Sequence, residues 1–338
     1  MPKIETIKVS ATDDAWEEVV NPAGHACREP AVSVIISLYN YSAYITGCLD
    51  SVRASKTEGL AGGFEVVVVD DASTDDSARV VEEYLKAHSM PVTLIKKYAN
   101  TGVSDARNLG LLMARAPLVF ILDADNEIRP ECLVAHHRAI NISGCAMVYG
   151  HINCFDDKTR RSVGLTSCRP WNERELVQRP YIDAMAMFRK EALLQLGGYA
   201  TEYGRILPLG WEDYDLWLKL AQAGYTGWMI SEVLSDYRVH AGSQVQKVLP
   251  YQFELAHYFS RKFHVLVRRH EDLTTWFGCP REKLMIAFAQ MSWARNLEQA
   301  RAARWLNRWL GPKMCRSICK RLAAAYMWLY PRNPTGKN

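Results

Sequence analysis

The sequence predicts an α/β fold in which a mainly parallel, Rossmann-like sheet is flanked by helices. Between residues 31 and 123, short runs of β-branched and other apolar residues recur, and no polar residue breaks their central part into an alternating pattern. Segments with apolar residues at helical spacing lie between these runs. Strands that are apolar throughout, alternating with amphipathic helices, are typical of a parallel sheet covered on both faces.

Four buried strands are predicted, over residues 31–39, 64–70, 92–96 and 117–123. A helix is predicted after each of the first three strands, because apolar residues recur there every three or four positions. In the second of these helices we expect Ser73 or Thr74 as the N-cap and Asp75 and Asp76 in the first turn. The apolar positions are Ile45, Cys48, Leu49 and Val52 in the first helix, Val80, Val81, Tyr84 and Leu85 in the second, and Val103, Ala106, Leu109 and Met113 in the third.

Three regions follow from the patterning along the chain. Residues 1–29 are polar and unpatterned, so we expect an N-terminal extension outside the main core. Residues 30–245 form the main domain. Residues 246–338 are predicted to be a basic, largely helical C-terminal extension, since apolar and arginine residues of RAARWLNRWL (301–310) separate onto two helix faces. Such a helix suits a membrane interface, or a helix packed on the core with its basic face in water.

Charge is distributed unevenly along the chain. Residues 281–338 contain 12 Lys and Arg but 2 Asp and Glu, a net charge of +10, whereas the other 280 residues have a net charge of −6. This favours an anionic surface, such as a membrane, as a partner of the tail; we expect no nucleic-acid partner. The nine cysteines lack metal-ligand spacing, and no signal peptide or membrane span is predicted. These features indicate a cytoplasmic protein, with peripheral attachment to the inner membrane face as an extension of that prediction.

Acidic pairs end two of the buried strands. Asp70 and Asp71 follow one, and Asp123 and Asp125 follow the other. Ligands bind beyond the carboxyl ends of the strands in such sheets. Residues i and i+2 of an extended chain point to the same side, so Asp123 and Asp125 can share a divalent cation, and oxygen ligands suit Mg²⁺ or Mn²⁺. A solvated turn and a helix-capping turn are the alternatives for the two pairs.

Two further segments carry polar groups at predicted helix starts. Gly102 and Arg107 lie in NTGVSDARN, where a helix N-terminus favours an anion such as a diphosphate, or where small residues serve helix–sheet contact. Glu212 and Asp213 follow Trp211 at the start of another helix, as dipole partners or as functional carboxylates. His240 is a candidate metal or phosphate ligand or a structural histidine.

Taken in order, these segments resemble the inverting family-2 glycosyltransferases of the GT-A fold, bacterial type. The matching stretches between residues 32 and 243 are VSVIISLYN, VVVVDDASTDDS, NTGVSDARNLGLLMARA, VFILDADN, GGY, GWEDYDLWLKLAQAGY and YRVHAGS. Two departures are visible: Ser37 stands where a proline is usual, and Ala72 where a glycine is usual. Neither change removes a functional side chain.

The resemblance implies a role for each matching position. The donor half comprises the nucleotide-sugar-binding residues, the acceptor half contains the base, and a Mn²⁺ or Mg²⁺ ion lies between donor and protein. By this resemblance, the nucleotide is lined by Ser37, Tyr39, Asn40, Asp70 and Asp71, and the residues near the ribose, sugar or diphosphate are Gly102, Arg107, Asp123 and Ala124. The metal is held by Asp125 and His240. The general base is Asp213, with Glu212 beside it, and the acceptor is contacted by Trp211 and Glu212.

The chemistry agrees with these roles. A carboxylate can activate an attacking hydroxyl, and a divalent metal can stabilise a diphosphate leaving group, so one displacement inverts the anomeric centre. The resemblance favours a UDP-sugar donor and a glycan or lipid-linked acceptor, as in cell-surface polysaccharide synthesis.

A sugar-phosphate nucleotidyltransferase would show a glycine-rich basic loop after the first strand, and SLYNYSAY has neither glycine nor lysine. A non-catalytic carbohydrate-binding module of the same fold is the other alternative. No GxGxxG or GxxxxGK[ST] follows a strand, which argues against dehydrogenases and P-loop enzymes.

Overall fold

The computed structural model describes residues 15–201, 210–240 and 252–285. The chain divides into two compact units, residues 1–250 and residues 251–338. In the first unit the described strands are β1 (Trp16–Val20), β2 (Val32–Leu38), β3 (Phe64–Asp70), β4 (Val92–Lys97), β5 (Leu118–Asp123), β6 (Glu127–Ile128), β7 (Met147–Asp156), β8 (Ser162–Thr166), β9 (Ala186–Arg189) and β10 (Gly227–Val239). The helices are α1 (Pro22–Ala26), α2 (Ile45–Arg53), α3 (Ser77–Ala87), α4 (Val103–Met113), α5 (Cys132–Ser143), α6 (Glu173–Gln178), α7 (Lys190–Gln195) and α8 (Glu212–Gln222).

These strands form one mixed sheet in the order β1-β4-β3-β2-β5-β9-β7-β10-β6, with β8 paired to β7. The central neighbours β4, β3, β2 and β5 are parallel to one another, and β7 is parallel to β10. The remaining pairings are antiparallel. The four predicted strands and the parallel sheet are therefore confirmed.

Both faces of the central sheet are covered, as the apolar runs predict. In β3, Val66 and Val68 belong to the large core that also contains the apolar stripes of α2 and α3. Val67 and Val69 face the other way and pack with Ala106 and Leu109 of α4. Successive residues of a strand point to opposite faces, so a strand between two helical layers is apolar over most of its length.

The N-terminal segment differs from the prediction. β1 pairs antiparallel with β4, from Trp16 opposite Lys97 to Val20 opposite Thr93, so this part of the predicted extension belongs to the sheet. The prediction failed because an edge strand has one neighbour and keeps much of its surface in water. Its sequence, WEEVV, is consequently too polar to show the pattern of a core strand.

The predicted start of α3 is also wrong. The helix begins at Ser77, after Asp76 at the N-cap position, and no side chain caps it. Ser73 and Thr74 lie in the preceding loop, where the Ser73 hydroxyl accepts the Asn40 N–H at 3.0 Å and the Thr74 N–H donates to Asn40 Oδ1 at 2.7 Å. Their capping capacity is used by a loop distant in sequence, which local patterning does not reveal.

The second unit has its own small core. It contains α9 (Gln252–Lys262), α10 (His264–Arg269) and a hairpin of β11 (Thr275–Trp276) and β12 (Cys279–Pro280). Phe259, Phe263 and Phe277 are buried. The predicted amphipathic helix over residues 301–310 lies outside the described residues, as does the predicted boundary near residue 245, so both stay predictions. None of the helices within the described residues has the length and apolarity that a membrane span requires.

Candidate active site

The acidic residues predicted to form a site meet at one edge of the sheet. The registers place Ser37 of β2 beside Asp123 of β5, and Leu38 of β2 beside Asp70 of β3. The parallel strands end together there, and α4 begins after Gly102. The φ of Gly102 is 97°, a backbone conformation that glycine adopts readily. The topology thus collects the strand-end carboxylates at a single edge, where ligands bind in sheets of this kind.

The loop after β2 is held against the loop after β3. Asn40 has a left-handed φ of 57°, and its side-chain oxygen accepts the Thr74 N–H. Asp70 accepts the Ser73 N–H at 3.3 Å and also bonds the Ser73 hydroxyl. Tyr39 stands 43% exposed beside this arrangement. Asn40 and Asp70 therefore shape the rim, while the exposed ring of Tyr39 is open to a ligand.

Asp71 is buried in a network with a lysine that the sequence did not point to. Its Oδ1 accepts Lys97 Nζ at 2.5 Å and the Thr101 N–H at 3.1 Å, and its Oδ2 accepts the Gly102 N–H at 2.8 Å. Lys97 Nζ also donates to Asp105 Oδ2 at 2.9 Å. Asp71 thus joins the end of β3 to the start of α4, and its predicted contact with the nucleotide stays a prediction.

Arg107 joins two acidic motifs that are far apart in sequence. Its Nη2 lies 2.7 Å from Asp123 Oδ1, and its Nη1 lies 2.8 Å from Glu212 Oε1. The guanidinium carbon is 5.2 Å from the centre of the Tyr199 ring. The Arg107 side chain is 3% exposed, whereas that of Asp123 is 28% exposed. One buried cation therefore balances two carboxylates, and Asp123 still reaches the cleft.

Asp125 and His240 form a second pair in the same cleft. The Nε2 of His240 is 2.9 Å from Asp125 Oδ2, and the rings of Tyr41 and Tyr44 pack on the imidazole. Burial raises the pKa of Asp125, as does the nearby charge of Asp123, while His240 lowers it. Arg238 fixes the Asp125 backbone, with its Nε 2.8 Å from the carbonyl oxygen. Within the described residues, no three His, Cys, Asp or Glu side chains are grouped closely enough to form a metal cage.

Asp213 lies at the start of α8, beside Glu212. Trp211 precedes the helix with a left-handed φ of 80°, and Asp213 Oδ1 accepts the Tyr214 N–H at 2.6 Å. Burial holds the pKa of Asp213 well above its usual range; the carboxylates of Glu212 and Asp183 add to this effect, and Arg107 opposes it. A carboxylate with a raised pKa is a stronger base than one in water. The arrangement can therefore take a proton from a hydroxyl that lies next to it.

The family of the chain follows from comparison with known proteins. Residues 33–197 match the model described as glycosyl transferase family 2, a span that begins in β2 and ends after α7. The chain carries a family-2 glycosyltransferase domain.

Several relatives of this glycosyltransferase come from bacteria. It is 29% identical over 222 residues to an uncharacterised glycosyltransferase of Haemophilus influenzae, covering 62% of this chain and 68% of that protein. It is 26% identical over 224 residues to the putative glycosyltransferase EpsE of Bacillus subtilis, covering 64% and 76%. A teichoic acid poly(glycerol phosphate) polymerase of Staphylococcus epidermidis is 34% identical over 97 residues, but the chain spans only 13% of its length.

Solved structures bear out the predicted fold. S. aureus TarS 1–349 in complex with UDP-GlcNAc has a TM-score of 0.54 and 19% identity, over 86% of this chain and 79% of that one. The mannosyltransferase PcManGT of Pyrobaculum calidifontis, in complex with GDP-Man and Mn²⁺, has a TM-score of 0.55 and 19% identity, over 95% and 92%. At this identity the likeness concerns the fold: the glycosyltransferase has the GT-A architecture.

Two residues of the cleft, Asp183 and Tyr199, escaped the sequence analysis. Asp183 lies just before β9. Because β9 runs antiparallel to β5, the start of β9 lies at the edge of the sheet where β5 ends. Burial raises the pKa of Asp183 to about 7, with Asp123 as the next cause. The signal was present, since YIDAMAMF sets an acidic residue against an apolar run, but the direction of β9 was needed to interpret it.

We expect Lys97→Met to lower the free energy of unfolding by about 3–5 kcal/mol, because it leaves two buried carboxylates, Asp71 and Asp105, without their cation. Chemical denaturation measures the change. The matched control is Lys96→Met: Lys96 pairs with Glu17 and Glu82 at a partly exposed position. Lys96→Met should lower the free energy of unfolding by at most about 1 kcal/mol. Equal effects of the two substitutions would contradict the assignment of Lys97 as the counterion of the buried cluster.

Proposed function

We propose that this glycosyltransferase moves a sugar from a nucleoside-diphosphate donor to an acceptor hydroxyl in one inverting displacement. The observation that carries the proposal is the Arg107 bridge. It joins Asp123, at the end of β5, to Glu212, beside Asp213 at the start of α8. A donor held at Asp123 and an acceptor held at Asp213 would consequently lie in one cleft, as a single displacement requires.

The donor half of the cleft is assigned to residues at the ends of β2, β3 and β5. Tyr39 offers an exposed ring, the N-terminus of α4 after Gly102 offers backbone N–H groups, and Asp123 offers a carboxylate that reaches the cleft. Aromatic faces pack on flat rings, and helix N-termini favour phosphate groups. We assign nucleotide-sugar contacts to Ser37, Tyr39, Asn40, Asp70, Asp71, Gly102, Arg107, Asp123 and Ala124.

Asp125 and His240 are proposed to hold a divalent cation. Their oxygen and nitrogen donors lie side by side, and burial, followed by the charge of Asp123, raises the pKa of Asp125, so a positive charge bound there would favour the ionised carboxylate. Mg²⁺ and related ions usually take only one or two protein ligands and complete their shell with water and substrate phosphates, so a two-residue site fits them. A bound Mn²⁺ or Mg²⁺ would supply charge stabilisation for the departing diphosphate.

In the acceptor half, Asp213 is proposed as the general base. Its Oδ1 accepts a backbone N–H, so its position is fixed, and its raised pKa brings it closer to neutrality. A base works best when its pKa is close to the operating pH. Glu212 is neutralised by Arg107 and holds the start of α8, with Trp211 before it; we propose both as acceptor contacts.

The substrates are proposed from the relatives and the charge distribution. UDP is the first nucleotide to test because TarS was solved with UDP-GlcNAc, and GDP the second because PcManGT was solved with GDP-Man. Relatives named for polymer synthesis favour a glycan or lipid-linked acceptor in cell-surface polysaccharide assembly. A cytoplasmic position at the inner membrane face, with the basic residues 281–338 on the lipid, would suit such an acceptor.

Asp213→Asn is expected to reduce sugar transfer by about 10²–10⁴-fold, because the amide cannot accept the proton of the acceptor hydroxyl. Nucleotide binding should change little, since Asp213 lies in the acceptor half. Product formation and calorimetric nucleotide titration measure the two effects. Near-full turnover by the variant would show that another group is the base.

Calorimetric titration with UDP, GDP and their common sugar conjugates, each with and without Mn²⁺, tests the donor site. We expect one nucleotide to bind in a Mn²⁺-dependent way, and Asp125→Ala to remove that dependence because it takes away a metal ligand. Asp50→Ala, at an exposed position of α2, serves as the control. Folded protein that binds none of these compounds would contradict the catalytic proposal and favour the non-catalytic module.

Flotation with anionic liposomes tests the membrane contact of residues 281–338. Neutralising Arg301, Arg304 and Arg308 to glutamine in the full chain should weaken binding by more than a hundredfold, at about 1 kcal/mol per basic residue near the surface. Neutral liposomes give the reference. Equal flotation of the two proteins would refute the contact.

A further inference from the structure

Asp183 occupies a fixed position in the cleft that no assigned role uses. Its N–H donates to the Ser167 hydroxyl at 2.9 Å, and its Oδ1 accepts the Met185 N–H at 3.1 Å. Ser167 is 2% exposed and has a left-handed φ of 55°. The other oxygen of Asp183, Oδ2, accepts no hydrogen bond from the described part of the chain. The carboxylate is thus oriented by one oxygen, while the second is left for a ligand.

The charges around Asp183 are incompletely balanced. Arg107 contacts Asp123 and Glu212, but within the described residues no cation lies in hydrogen-bonding distance of Asp183 or Asp213. The carbonyl oxygen of Ile182 accepts the Trp217 Nε1–H of α8 at 3.1 Å, which brings the neighbouring Asp183 beside the helix that begins at Glu212. The charge of Asp183 contributes to the raised pKa of Asp213, and that of Asp123 to the raised pKa of Asp183. Adjacent carboxylates of this kind favour a ligand that brings several hydrogen-bond donors.

Buried polar atoms of the same cluster also lack partners. The Tyr199 hydroxyl, on a side chain that is 1% exposed, makes no hydrogen bond within the described residues, nor does Glu212 Oε2. After burial, the charges of Arg107, Asp213 and Glu212 affect the pKa of Tyr199: Arg107 lowers it, and the two carboxylates raise it. Unpaired buried donors and acceptors cost free energy and are rare, so their presence beside the base indicates a site that is completed by a bound molecule.

We propose that Asp183 is an acceptor-binding residue whose Oδ2 accepts a hydrogen bond from a second hydroxyl of the acceptor, next to the hydroxyl that Asp213 deprotonates. The proposal rests on the proposed function and deepens it: it makes the acceptor a polyol, with two neighbouring hydroxyl groups at the reacting end. Above the Asp183 pKa of about 7, the ionised carboxylate is an acceptor only, so one O–H for Asp213 and another for Asp183 is the simplest match to the pair.

Two small alcohols that differ by one hydroxyl, propan-1-ol and propane-1,2-diol, test this inference. The full-length protein is supplied with the nucleotide-sugar that calorimetry identifies, and transfer to each alcohol is measured as kcat/KM. We expect the unmodified protein to prefer the diol by about ten- to a hundredfold, the range of a hydrogen bond to a charged group. Equal rates with the two alcohols would overturn the proposal without any variant.

Asp183→Asn then assigns the preference to a residue. The amide keeps an oxygen for the Met185 N–H, but replaces the free acceptor by a donor. We expect the preference for the diol to fall to within about twofold, the statistical factor of two hydroxyls, while nucleotide affinity stays unchanged. A variant that retains the preference would overturn the role of Asp183, and so would one that loses nucleotide affinity.

Asp156→Asn is the matched control. Asp156 makes the same kind of contact, its Oδ1 accepting the Thr159 N–H at 2.9 Å, but at the end of β7, where this hydrogen bond is exposed. It should keep the preference for the diol, and loss of that preference would refute a specific role of Asp183. Failure of the proposed function is distinguishable, because the unmodified protein would then bind no nucleotide-sugar in the calorimeter.

Discussion

The arrangement of the cleft depends on one buried cation shared by two carboxylates. Arg107 of α4 contacts Asp123 at the end of β5 and Glu212 at the start of α8. A buried guanidinium is tolerable only when its charge is balanced and its hydrogen bonds are made. Helices α4 and α8 are therefore tied to the same point at the end of β5.

A second buried network also places one cation between two carboxylates. Lys97 of β4 lies between Asp71 and Asp105, and Asp71 also accepts two N–H groups at the start of α4. The start of α4 is consequently held by Asp71, while its first turns are held by Arg107. Charge pairs that are this well buried contribute little net stability, but removing one partner is costly. They fix the position of a helix rather than the stability of the fold.

Backbone strain is concentrated around the same cleft. Asn40, Ala72 and Trp211 all have left-handed φ, of 57°, 59° and 80°, at the end of β2, after β3 and before α8. Such a conformation costs roughly 1–2 kcal/mol for a residue with a side chain. The family resemblance implies glycine at the position of Ala72, so here the left-handed conformation falls on a residue with a side chain. Loops that must deliver several polar groups to one place are where such strain is expected.

The amino-acid sequence by itself determined the central sheet and the carboxylates that end its strands. A strand buried on both faces is apolar over most of its length, so β2 to β5 are visible in the pattern, and an acidic residue that ends such a strand stands out against it. Edge and antiparallel strands leave no comparable pattern, because β1 is half in water and β9 is short. Only the tertiary structure decided that Lys97 balances Asp71, that Arg107 joins Asp123 to Glu212, and that Asp183 lies in the cleft. Each of these contacts joins segments that are far apart in the sequence. Strand direction and helix packing bring the segments together, and the residues next to each segment in the chain do not reveal either.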